Sequence, residues 1–204
     1  ATVATSALTG FITDPRKNPE FVKYPYSAEQ SITSVIKPDD KRKFGNIWNY
    51  SDVDNLNTDQ MFAGKHTYNV LSSDPASIIP HLFEDFDPSF RSNVSKGDII
   101  IAGDNFGCGS SREHPSVGLA YAGISAVIVK SVNRIFYRSS INQGLLLIVH
   151  KDAVEAYNPG DIVTVSFERG EIIIGNNRFT FEPLPAKLKE IIDKKGLVSY
   201  MKSV

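Results

Sequence analysis

The 204-residue chain holds one cysteine, one tryptophan, two methionines and four histidines. A lone thiol excludes an internal disulfide, and Cys108 by itself cannot supply the three or four thiolates that hold an iron–sulfur cluster. The histidines, at 66, 81, 114 and 150, show no zinc-type spacing. Neither sign of charge is in excess, because 22 Lys and Arg face 23 Asp and Glu for a formal net charge of −1. That balance gives no overall pull toward nucleic acid or a membrane surface. No apolar run approaches bilayer-crossing length, and the N-terminus lacks a basic start followed by a long apolar core. A cytoplasmic or organelle-matrix protein is expected. The 41% hydrophobic share argues against a disordered chain, and the length suits one domain with a full core plus an appendage.

What is present is concentrated in one run, Gly103 to His114, with three glycines, the adjacent hydroxyls of Ser110 and Ser111, and Arg112. The apolar stretch Asp98–Ala102 before it reads as a buried strand, and Pro115–Ile124 after it as a helix. The serines are thus expected near a helix N-terminus, where free N–H groups and the helix dipole favour an anion. Arg112 adds a forked, permanent positive charge, so a carboxylate is the natural ligand. A hydroxyl among cationic donors loses its proton more readily and can act as base or nucleophile. From the glycines alone, a capped structural turn is the favoured reading of the run. Neither the dinucleotide fingerprint nor the phosphate-loop pattern is satisfied, since Gly-Lys-Ser/Thr is missing. Cys108 reads as a small residue packing the turn.

Ser125–Val129 is a second buried-type strand, so strand, helix and strand alternate as in a parallel β–α–β unit. The Ser110 turn then lies at a strand's carboxyl end, where open α/β sheets gather ligands. Asn133 to Gly144 reads as a helix closed by glycine, with Arg134 and Arg138 on one face, and Leu145–Val149 as a further strand. Upstream, Phe44–Tyr50 reads as a strand and Asp74–Phe86 as a helix with an apolar stripe. His81 has no partner visible in the sequence. Downstream, Ile162–Phe167, Glu171–Gly175 and Arg178–Phe181 read as short antiparallel strands, and Ala186–Val204 as a helix interrupted near Gly196. Residues 1–43 differ: a small-residue helix ended by Gly10, then a connector broken by prolines at 15, 19, 25 and 38.

The run Asp104–His114, with Ala126-Val127-Ile128 and Arg134-Ile135-Phe136-Tyr137-Arg138 after it, resembles the swivelling domain of the aconitase superfamily. It is most similar to the small subunits of 3-isopropylmalate dehydratase and homoaconitase. Asn57-Thr58-Asp59 followed by Gly64 resembles a second family segment, and the likeness spans about residues 44–204. The resemblance implies an α/β fold of the swivelling β/β/α type and a hydro-lyase active only with a cluster-bearing large subunit or domain. It implies Ser110 as the catalytic base, Ser111 and Arg112 as holders of substrate carboxylates, and Thr58 and Asp59 near the active-site seam. The 4Fe–4S cluster would belong to the partner, with none bound by this chain. The substrate would be a small hydroxy di- or tricarboxylate, with no nucleic acid and no membrane involved.

Gly64–Val70 occupies the place of the family's substrate-discriminating loop but lacks its usual Tyr-Leu pair. Lys65 or His66 could there meet an extra carboxylate, Tyr68 and Val70 could line an alkyl pocket, or the two basic residues could simply face water. The opening segment through Arg16 resembles the end of the family's large part, so a fused enzyme cut before Ala1 is expected rather than a free small subunit. An aconitase or homoaconitase swivel domain and a non-catalytic carboxylate-binding module are the competing identities.

Overall fold

The computed structural model describes residues 46–203. Its central sheet is parallel and runs in chain order: β1 (Ile47–Tyr50), β2 (Ile99–Ala102), β3 (Ala126–Val129) and β4 (Leu147–Val149). Between β1 and β2 lie three one-turn helices, α1 (Thr58–Met61), α2 (Pro75–Ile78) and α3 (Phe90–Asn93). Helix α4 (His114–Ala122) connects β2 to β3, and α5 (Arg134–Asn142) connects β3 to β4. Helix α6 (Lys151–Ala156) leads to an antiparallel sheet, β5 (Val163–Ser166), β6 (Glu171–Ile174) and β7 (Asn177–Thr180), and the chain closes with α7 (Ala186–Asp193) and α8 (Leu197–Met201).

Strands β2 and β3 are buried at every position, which is why they read as unbroken apolar runs rather than as alternation. Their alternate side chains serve two cores. Ile100, Ala102, Val127 and Val129 pack with Leu119 of α4, Phe136 of α5 and the aromatic cluster Phe62, Phe83 and Phe90. Ile99, Ile101, Ala126 and Ile128 pack with Val154 of α6 and with Val163, Val165, Ile172 and Ile174 of the antiparallel sheet. The result is three layers: helices, parallel sheet, antiparallel sheet. Asp98 locks the entry to the sheet, because its buried carboxylate accepts from the backbone of Asn46 at 2.7 Å, from Ser95 at 2.9 Å and from Trp48 Nε1 at 2.9 Å.

Most expected elements form close to their expected bounds, and the C-terminal helix breaks at Gly196, whose φ is +114°. The exception is Asp74–Phe86. Only α2 and a single 3-10 turn, Ile79–His81, form there. Pro80 has no N–H to continue the helix, and Leu82 turns to extended backbone immediately after. The apolar stripe is nonetheless delivered to the core, with Ile78, Leu82 and Phe83 fully buried. The expected N-terminal helix and connector lie outside the described residues.

Candidate active site

The Ser110 turn is an extension of the sheet. Beyond β2 the chain keeps pairing in parallel with both neighbours: Asn57 bridges Cys108 on one side, and Phe106 bridges Val132 on the other. Gly107 N donates to Leu56 O and Thr58 N to Cys108 O, both at 2.8 Å, while Phe106 N donates to Ser131 O at 3.0 Å. Two glycines are required by this path. Gly107 has φ +71°, and a Cβ there would stand 2.3 Å from Phe136 Cγ; Gly109 has φ +103° and passes 3.0 Å from Thr58 Oγ1 at the Cβ position.

This backbone puts Ser110 beside Thr58. Asn57 caps α1 in a capping box with Gln60, so Thr58 is the first helical residue and is wholly buried. Ser110 N donates to Thr58 Oγ1 at 2.9 Å, and the two hydroxyl oxygens lie 3.0 Å apart. Arg112 Nε donates to Ser110 Oγ at 2.8 Å and Arg112 N reaches it at 3.4 Å. The same guanidinium donates from NH1 to Thr67 Oγ1 at 3.0 Å and from NH2 to Asp59 Oδ1 as a close ion pair. Three of its five N–H groups are thereby engaged. Ser110 is half-buried and Ser111 exposed, so the hydroxyls sit at an opening rather than inside the packed interior.

The structure thus brings together Thr58, Asp59, Ser110 and Arg112, with Ser111 at their edge. It sets Lys65 and His66 apart. Lys65 Nζ lies 2.5 Å from Glu84 Oε1 and 3.1 Å from Asp85 Oδ2, and His66 Nε2 lies 2.7 Å from Glu84 Oε1. The far oxygen of Glu84 meets His81 Nδ1 at 3.2 Å, and the two imidazoles stack with centroids 3.9 Å apart. This carboxyl is held down to about 2, chiefly by the Lys65 ammonium, with His66 and His81 adding and its own partial burial opposing.

Three expectations change here. Ser110 precedes the first residue of α4 by four positions and belongs to an extended loop, so its hydroxyl meets Arg112 and Thr58 rather than the helix end. Val70 is 6% exposed and belongs to the core, whereas Tyr68 is 93% exposed, so the two do not line one pocket. His81 does have partners, Glu84 and His66. Thr67 and Glu84 carry no signal in the sequence. His114 Nε2 donates to Val70 O at 2.9 Å, pinning the loop from α4. No spacing rule could have found these contacts, which join residues up to 45 positions apart.

Comparison with known proteins decides the lineage of this site. The model of the aconitase C-terminal domain family matches residues 26–153. The chain belongs to that family. Among curated aconitase-family relatives, the 3-isopropylmalate dehydratase small subunit of Caldanaerobacter subterraneus is 40% identical over 73% of this chain and 92% of its own length. Small subunit 1 of the same enzyme from Archaeoglobus fulgidus is 40% identical over 78% of this chain and 97% of its own. The crystal structure of 3-isopropylmalate dehydratase LeuD from Methanocaldococcus jannaschii matches with a TM-score of 0.67 and 36% identity, over 80% of this chain and 93% of that one. The α/β fold expected from the motifs is therefore the fold of this aconitase-family hydro-lyase subunit.

Proposed function

We propose that this chain is the swivelling small-subunit part of an iron–sulfur hydro-lyase that isomerises a 2-hydroxy acid by dehydration and rehydration, with isopropylmalate as substrate. The observation that carries this reading is the Ser110 hydroxyl, half-buried and 2.8 Å from a permanently charged Arg112 N–H. A carbon acid beside a carboxylate needs a base, and a serine serves only if its alkoxide is stabilised. Arg112 supplies that through Nε and the backbone. Once Ser110 has lost its proton, the Thr58 hydroxyl must be the donor of the 3.0 Å contact, its own oxygen already accepting Ser110 N–H. Ser110 Oγ then faces three donors. The two remaining N–H groups of Arg112, with Ser111, are free to hold the substrate carboxylates. Asp59 orients the guanidinium rather than meeting an anionic substrate.

The family implies a 4Fe–4S cluster, and this chain's residues do not fit as its ligands, having one cysteine that spends its thiol on Asn55 O at 3.5 Å. The cluster would be held by a large partner subunit or domain, where it would supply a Lewis acid for the departing hydroxyl. No helix among the described residues is long and apolar enough to cross a membrane. A location in the cytoplasm or an organelle matrix is part of the proposal, and its support is the likeness to metabolic-enzyme subunits.

The test combines the chain with a large subunit carrying reconstituted cluster and assays isopropylmalate isomerisation. Activity is expected only in the mixture. Ser110→Ala is expected to lower turnover about a thousandfold while substrate binding largely survives; near-normal turnover removes Ser110 as base.

A further inference from the structure

We propose that Glu84 determines the substrate class of this site: by tying up the cations of the Gly64–His66 turn, it reserves the site for a dicarboxylate with an uncharged third substituent and turns away a tricarboxylate. The inference rests on the hydro-lyase reading above and adds to it a residue and a charge rule.

The turn borders the reacting group. A Cβ on Gly64 would lie 3.2 Å from Asp59 Oδ1 and 3.3 Å from Arg112 NH1, and Thr67, which follows the turn, accepts from that same guanidinium. A third carboxylate on a substrate held by Arg112 would need a positive charge here, and the residue types for one are present in Lys65 and His66. Both are taken. Lys65 is ion-paired to Glu84 and Asp85, and His66 is bonded to Glu84. The single Lys65 ammonium faces two carboxylates, Glu84 and Asp85, so it has no uncompensated charge to offer a further anion.

Glu84 is fixed where the cations are not. Its side chain is 11% exposed against 57% for Lys65. Its neighbours Leu82 and Phe83 are fully buried, and Phe83 N donates to Met61 O at 2.9 Å. The turn therefore comes to the carboxylate. His66, His81 and Glu84 also put three metal-ligating atoms within 4.8 Å of one another. A metal ion is the poorer occupant, because the Lys65 ammonium already stands 2.5 Å from Glu84 in the place of a cation.

The experiment measures kcat/KM for isopropylmalate and for citrate with the enzyme assembled from this chain and a cluster-bearing large subunit. Wild type, Glu84→Gln and the double variant Glu84→Gln/Lys65→Met are compared at low and high salt. Glu84→Gln is expected to raise the citrate-to-isopropylmalate ratio about tenfold at low salt, less at high salt, as Lys65 is released. The double variant is expected to return the ratio toward wild type, which a purely structural role for Glu84 would not do. Asp85→Asn, at an exposed position, tests the same charge should Glu84→Gln fail to fold, with an expected rise of about twofold. A wild type active on isopropylmalate whose ratio none of these variants moves overturns the inference alone. A wild type inert toward both acids overturns the hydro-lyase reading and the inference with it.

Discussion

The Ser110 turn and the Gly64–Val70 loop meet at one guanidinium, yet they are held by different forces. The turn is held by backbone: parallel bridges join Cys108 to Asn57 and Phe106 to Val132, and Ser110 N donates to the buried Thr58. The loop is held to the rest of the molecule by side chains, through the Glu84 cluster and His114, while the backbone bonds made by its own N–H groups stay local, between Ala63 and Val70. Backbone pairing is indifferent to most substitutions, whereas charge pairing is changed by one. On the reading proposed above, the arrangement would keep the proton-transfer apparatus constant and leave substrate choice adjustable.

The contrast can be broken at several points. Ser110→Ala has the largest expected effect, the thousandfold loss of turnover described above, because it removes the hydroxyl proposed as base. Gly107→Ala attacks the backbone side: its Cβ would strike Phe136 at a φ of +71°, and a loss of about 3 kcal/mol is expected in denaturant melts. Thr58→Val keeps the shape but removes the hydroxyl, leaving Ser110 N unpaired and the alkoxide one donor short. A penalty of about 2 kcal/mol, or about thirtyfold in kcat with little change in KM, is expected.

On the loop side the expected effects are smaller. Glu84→Gln shifts substrate preference about tenfold, as argued above, and it also changes acid stability. The Glu84 carboxyl falls from its ordinary 4.5 to about 2 in the folded chain, so its stabilising share is present above 4.5 and disappears as the pH drops through about 2. Thermal melts between those limits are expected to show a shallower decline for Glu84→Gln than for wild type. Equal slopes would mean that the cluster does not form in solution.

Much of this was legible beforehand. The strands β2 and β3 announced themselves as uninterrupted apolar runs, and the Ser110 turn as a cluster of glycine, hydroxyl and guanidinium, because burial on two faces and a tight anion-binding turn each leave a local signature. The broken helix after Asp74 was legible too, had Pro80 been weighed above the apolar spacing of Ile78, Ile79, Leu82 and Phe83. Glu84 left no such mark. A carboxylate beside Asp85 looks like any solvated pair until folding sets it against Lys65, His66 and His81, and the two histidines stack only because Pro80 and the 3-10 turn swing His81 back toward the loop.

Residue order alone pointed to the α/β architecture and the family, and set Ser110 and Arg112 in one short run, since hydrophobic periodicity, turn chemistry and short motifs act within a few positions of one another. Only tertiary structure decided that Thr58 is the serine's second partner and that Lys65 and His66 are spoken for. Those outcomes depend on contacts between residues 18 to 52 positions apart, where distance along the chain carries no information about distance in space.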